Sequence, residues 1–87
     1  MKTLRETKAT KEARMADDLT YYGRAAGILT AEQTAHIGAP YASNVWRIYV
    51  TDATGAHVTV GAFSRAFTTR AACMTAAQSA VDVLSSL

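Results

Sequence analysis

The sequence predicts an α+β fold in the order α-α-β-β-α: two N-terminal helices, a two-stranded antiparallel hairpin, and a C-terminal helix packed on one sheet face. Three observations predict it. Residues 45–51 and 56–63 alternate apolar and polar side chains with a period of two, around a turn containing Gly55. Cys73, Ala76, Ala77, Ala80, Leu84 and Leu87 recur at helical spacing through the last stretch. No proline or glycine interrupts the chain before Gly23, which leaves the N-terminal part free to be helical.

Taken in order, Thr3-Leu4-Arg5-Glu6 fits a capping box. The first helix then begins near Leu4, or only after Thr10 if residues 1–10 form a frayed basic arm. Ala9, Ala13, Ala16, Leu19, Tyr22 and Ala26 make its predicted inner stripe. Gly27 takes the left-handed position past its last turn and lets Ile28 fold back onto Tyr22, a Schellman arrangement. Thr30-Ala31-Glu32-Gln33 is a second capping box, and Gly38 and Pro40 stop what it starts, which predicts a short helix over 31–37. Residues 39–43 then serve as a connector.

The hairpin register follows from the pattern. An even loop would set Trp46, Ile48 and Val50 opposite His57, Thr59 and Gly61, mixing apolar with polar on one face. A three-residue loop, Ala53-Thr54-Gly55 with Gly55 left-handed, avoids this. Val50 then faces Val58, Ile48 faces Val60, and Trp46 faces Ala62. Val45, Arg47, Tyr49, Thr51, His57 and Thr59 are left on the open face. Thr68 is the expected N-cap of the last helix, over 69–85.

Composition bounds the function. Eighty-seven residues predict one domain, 1–87, near the size at which a lone core becomes marginal. Apolar residues are 49% of the chain and charged ones 18%, too few charges for a disordered chain. Eighteen residues are Ala, so the core buries little area per residue and association with a partner becomes a natural source of stability. A single cysteine, Cys73, excludes an intrachain disulfide and a multi-thiolate zinc site. Charges follow Met1-Lys2-Thr3-Leu4 where a signal peptide would be apolar, so the expected setting is the cytoplasm, with no membrane. The net charge of +2 is too small to imply nucleic acid by itself, although Lys2, Arg5, Lys8, Lys11 and Arg14 crowd the first fourteen residues.

The chemistry-bearing residues do not assemble into a catalytic pattern. Asp17 and Asp18 are adjacent, which on a helix points them about 100° apart and rules out a facing carboxylate pair. His36 and His57 lack a partner at ligand spacing, and His36 is expected at the end of its helix. Cys73 reads as a small core residue. Neither a phosphate-binding glycine loop nor a nucleophile elbow occurs. The expectation is a non-enzymatic binding protein without cofactor or metal. Its candidate binding residues are Arg47, Tyr49 and Thr59 on the open face, Arg65 beyond the hairpin, and Lys8, Lys11 and Arg14 as secondary contacts. A two-stranded hairpin also has two free edges, through which two copies could join as a homodimer.

Three resemblances bear on partners. Ala35, Ile37, Gly38, Val45 and Arg47 stand roughly in the order of a helix-turn-helix, which implies a DNA-binding regulator with the hairpin as wing. The hairpin followed by a helix, with Gly61, Phe63 and Arg70, resembles the DNA-binding arm domains of phage integrases, which use a three-stranded sheet. That likeness implies Arg47, Tyr49 and Thr59 reading nucleic acid, with Arg65 and the N-terminal cations on phosphates. In class, a short motif-poor α/β chain looks like the small anti-CRISPR inhibitors encoded by bacteriophages. This resemblance implies stoichiometric occlusion of a protein surface, such as one on a CRISPR-Cas effector subunit. It carries no diagnostic residue.

Overall fold

The structure is a computed structural model that describes residues 7–87. The elements are helix α1 (Lys8–Ala25), strands β1 (Thr34–Gly38), β2 (Trp46–Thr51) and β3 (His57–Val58), a 3-10 turn (Gly61–Phe63), strand β4 (Arg65–Phe67) and helix α2 (Arg70–Ser85). The class is α+β, but one helix, not two, precedes the sheet. Strand β2 is central: β1 pairs along one side, and β3 and β4 pair in succession along the other. Both helices pack on one face, and the core joins Met15 and Leu19 of α1, Ala35, Ile48 and Val50 of the sheet, and Cys73, Ala77 and Leu84 of α2.

The start of α1 is capped by Thr7, whose hydroxyl accepts from the Thr10 amide at 3.1 Å. The proposed capping box at Thr3–Glu6, with Lys2 and Arg5, lies outside the described residues. At the other end the Schellman prediction holds. Gly27 has φ +77°, its amide donates to the Arg24 carbonyl at 3.1 Å, and the Ile28 amide donates to the Gly23 carbonyl at 2.9 Å. The buried stripe is rotated from the predicted one. Met15, Leu19, Thr20 and Gly23 are buried, whereas Ala9, Ala13 and Ala26 are exposed. Larger side chains won the core because they remove more apolar area from water.

Gly23 is where α1 comes closest to its neighbours. A Cβ there would stand 2.8 Å from Phe63 Cε2 and 2.9 Å from Leu29 Cδ1, and both of those side chains are buried. Gly23→Ala gains about 1 kcal/mol in helix propensity, but overpacking a filled core costs about 1–3 kcal/mol. The clash should win. A lower midpoint in urea with an unchanged slope is the expected result, and a raised midpoint would contradict it.

The predicted helix over 31–37 is a strand. Its capping chemistry is real but lasts one turn: the Thr30 amide donates to Gln33 Oε1 at 3.0 Å, and the Gln33 amide donates to the Thr30 carbonyl at 3.2 Å. Beyond Gln33 the chain extends and pairs with β2, Ala35 opposite Val50 and Ile37 opposite Ile48. Ladder bonds and burial of Ala35 outweigh the helical start, since a helix this short is marginal alone. This also overturns the helix-turn-helix likeness, because Ala35 and Ile37 lie in one strand, Arg47 lies in another, and Val45 immediately precedes it.

At the hairpin the register near the turn is as predicted: Val50 faces Val58 and Thr51 faces His57. Gly55 has φ +84°, and Asp52 Oδ1 gathers the Thr54 and Ala56 amides at 2.8 and 3.1 Å and the Thr54 hydroxyl at 2.6 Å. Those donors, the Thr54 hydroxyl first, hold the Asp52 carboxyl below its ordinary range. Further on the prediction fails. Ile48 faces Arg65 and not Val60, and Trp46 faces Phe67 and not Ala62. The intervening 3-10 turn drops Phe63 into the core, and pairing resumes only after it.

Helix α2 starts one residue later than expected, with Thr69 as N-cap accepting from the Ala72 amide at 3.1 Å. Cys73, Ala77 and Leu84 are buried as predicted, joined by Met74 and Val81, while Leu87 is 83% exposed. Burial pushes the Cys73 thiol up, with Glu12 adding to the effect, so the thiol form is favoured. Arg70 ties the beginnings of the two helices together, bridging Glu12 and donating to the Lys8 carbonyl at 3.3 Å.

Candidate functional site

Alternation on the central strand puts Ile48 and Val50 under the helices and Arg47, Tyr49 and Thr51 on the open face. That face carries a row of rings. Tyr49 is stacked between His36 of β1 and His57 of β3, at 5.0 and 5.1 Å between centroids and 21° between planes in each case. His36 is directly opposite Tyr49 in the ladder, and His57 is on its diagonal. Tyr41, from the connector, adds a fourth ring: it lies 5.1 Å from His57 and its hydroxyl bonds His57 Nδ1. The Arg47 guanidinium lies 5.4 Å from the centre of the Tyr41 ring.

The predicted binding residues are only partly brought together. Arg47 and Tyr49 share the open face. Thr59 is exposed but lies past the end of β3 and outside the row of rings. Arg65 is opposite Ile48, on the helix side of the sheet, with its guanidinium 5.2 Å from the Phe67 ring centre. There it borders an apolar cavity of about 340 Å³ walled by Phe63, Ala80, Val83 and Leu84. Lys8, Lys11 and Arg14 are on α1, in the helical layer; Lys11 borders a groove with Arg70 and Met74, and Arg14 pairs with Asp18 at 3.5 Å.

Sequence reasoning missed His36 and Tyr41. The first was assigned to a helix and the second to a connector, and neither carries a local signal for the sheet. Alternation of Thr34, His36 and Gly38 against Ala35 and Ile37 was the one available clue.

The row has an electrostatic consequence. Burial, followed by repulsion from His57, lowers the His36 pKa below its ordinary 6.5. Its Nε2 and the Thr51 hydroxyl are 2.7 Å apart. A folded state that resists protonation loses stability as pH falls. Stability linked to His36 is therefore complete above pH 6.5 and is lost as pH drops through the lower folded value. Urea unfolding at pH 7.5 and 5.0 should show this loss, and His36→Gln should reduce it; an equal loss in the variant would assign the effect elsewhere.

Among the described residues, no three His, Cys, Asp or Glu side chains converge to hold a metal ion. No described helix is long and apolar enough to cross a membrane. No family model, curated protein or solved structure matches the chain.

Proposed function

We propose that this chain is a non-enzymatic binding module that recognises a protein partner with the open face of its sheet and acts by covering the partner's surface. The observation that carries this reading is the grouping of Arg47, Tyr49, His36, His57 and Tyr41 on one side of the central strand. Tyr and Arg are the residue types that dominate interface energetics. Stacked rings on strands also lose little conformational entropy on binding. The likeness in class to phage anti-CRISPR inhibitors gives the reading its setting: a subunit of a CRISPR-Cas effector or another bacterial defence complex.

The distribution of cations favours protein over nucleic acid. Phosphate recognition gains from several cations along one surface. Here Arg47 is the one Lys or Arg on the open-face positions of the described strands, while Arg65 belongs to the opposite side and Lys8, Lys11 and Arg14 to α1. One observation supports a second reading as a DNA-binding accessory protein: β1 makes the sheet three strands wide around β2, the width that the integrase arm domains use.

Capture from lysate of a phage-defence-positive bacterium tests the first reading. Arg47→Glu with Tyr49→Ala should abolish recovery of a partner that the wild type retains, each hot spot contributing about 2 kcal/mol or more. Lys8→Glu with Lys11→Glu should leave recovery intact. Loss in the lysine variant alone would move the interface to α1. Random duplex DNA bound at low salt, with a steep logarithmic salt slope, would favour the DNA reading.

A further inference from the structure

Within the open face, a shallow notch lies at Gly38. Gly38 is directly opposite Arg47 in the ladder and carries no side chain. A Cβ at Gly38 would meet only the Tyr49 ring edge and the Tyr49 hydroxyl, both at 3.8 Å, which is ordinary contact. The Tyr49 hydroxyl thus reaches the space over Gly38, whose ladder partner is Arg47. Among the described residues that hydroxyl makes no hydrogen bond, and no carboxylate pairs with Arg47. The Nε of Arg47 is shut off from solvent with no hydrogen-bond partner at all. A charged donor that has lost water and gained nothing is costly, and such groups in folded proteins call for an explanation.

We propose that the Gly38 notch is a carboxylate-binding site, in which Arg47 and the Tyr49 hydroxyl grip an Asp or Glu side chain of a protein partner; this rests on the sheet-face reading above. The donor set suits two oxygens in one plane: a guanidinium fork and one hydroxyl. The site has no second cation, as a phosphate would favour, because Arg65 faces the other way. No Asp or Glu occurs in any of the four strands, so nothing on the strands competes for Arg47. Tyr41 is 64% exposed, and its ring centre lies 5.4 Å from the guanidinium carbon.

Titration of the isotope-labelled full chain with an acetylated, amidated triglutamate peptide at constant ionic strength, followed by NMR, tests the site. The Gly38 amide and the Arg47 Nε proton should shift saturably, and the Arg65 and Lys11 resonances should not. Arg47→Lys keeps the charge but removes the fork, so it should weaken the response at least about tenfold with the remaining spectrum unchanged. Absence of a saturable shift, or an equal response in Arg47→Lys, overturns the proposal. Saturation of the same resonances by inorganic phosphate at lower concentration than by peptide overturns the carboxylate assignment. The capture assay separates the two levels. If Arg47→Glu with Tyr49→Ala abolishes capture while Arg47→Lys retains it in full, the sheet-face reading stands and the carboxylate site falls. If every variant retains capture, both fall.

Discussion

Phe63→Ala is expected to cost about 3–5 kcal/mol, a large part of the stability of a domain this small. Phe63 is 1% exposed and among the largest fully buried side chains. It enters the core from the 3-10 turn that separates β3 from β4, with its amide donating to the Val60 carbonyl at 2.8 Å. Below that turn the Ser64 hydroxyl closes a loop of its own, donating to the Val60 carbonyl at 2.9 Å and accepting from the Val60 amide at 3.1 Å. The surrounding backbone is thus pinned and cannot collapse into the vacated space, which puts the cost toward the upper part of the range. Phe63→Leu keeps most of the volume and should cost less than half as much. Chemical denaturation of the three proteins checks both; an alanine variant within about 1 kcal/mol of wild type would show that the turn, and not the ring, supports the fold.

Thr20→Val is expected to cost about 1–3 kcal/mol and to change how the chain associates. Thr20 is the one buried polar residue among those described. Its hydroxyl donates to the Ala16 carbonyl at 2.9 Å and accepts from the Ala35 amide at 2.9 Å, on the outer edge of β1. Nearby, Arg24 donates to the Gln33 carbonyl through Nε at 3.2 Å and through Nη2 at 2.9 Å. Helix α1 therefore occupies edge positions on β1 that would otherwise template another strand. Valine has the same shape and keeps the packing, so the loss isolates the hydrogen bond. The orphaned amide is then free to pair with another chain. Unfolding should begin at lower urea, and sedimentation should show more self-association than in wild type; a variant that is equally stable and equally monodisperse would remove α1 from the protection of that edge.

The same contacts revise the idea of a homodimer through hairpin edges. One edge of the predicted hairpin is occupied by β1, and the outer side of the other is broken by the 3-10 turn. Among the described residues the ring-bearing face stays uncovered by the helices. The placement of Arg47 and Tyr49, the proposed recognition residues, was legible from alternation alone, whereas that of their neighbours was not. His36 and Tyr41 reach the site only because β1 and its connector fold alongside β2, a pairing between residues nine to seventeen positions apart. Arg65, expected as an anchor beyond the hairpin, instead pairs opposite Ile48 on the helix side of the sheet.

What the sequence determined by itself is local. Gly27 closes α1, Gly55 takes the left-handed position of the hairpin turn, and period-two alternation assigns Ile48 and Val50 inward and Arg47 and Tyr49 outward. Each rests on interactions within about five residues, whose geometry the residue types dictate. Only the tertiary structure decided that 34–38 is a strand, that Phe63 interrupts the second strand, and that α1 turns Met15 rather than Ala13 inward. In each case burial of a larger apolar side chain or a complete ladder outweighed a local preference worth a few tenths to about 1 kcal/mol. That margin explains the sharp readings at the turns, and it also explains why the third strand, and with it half of the candidate site, came from packing.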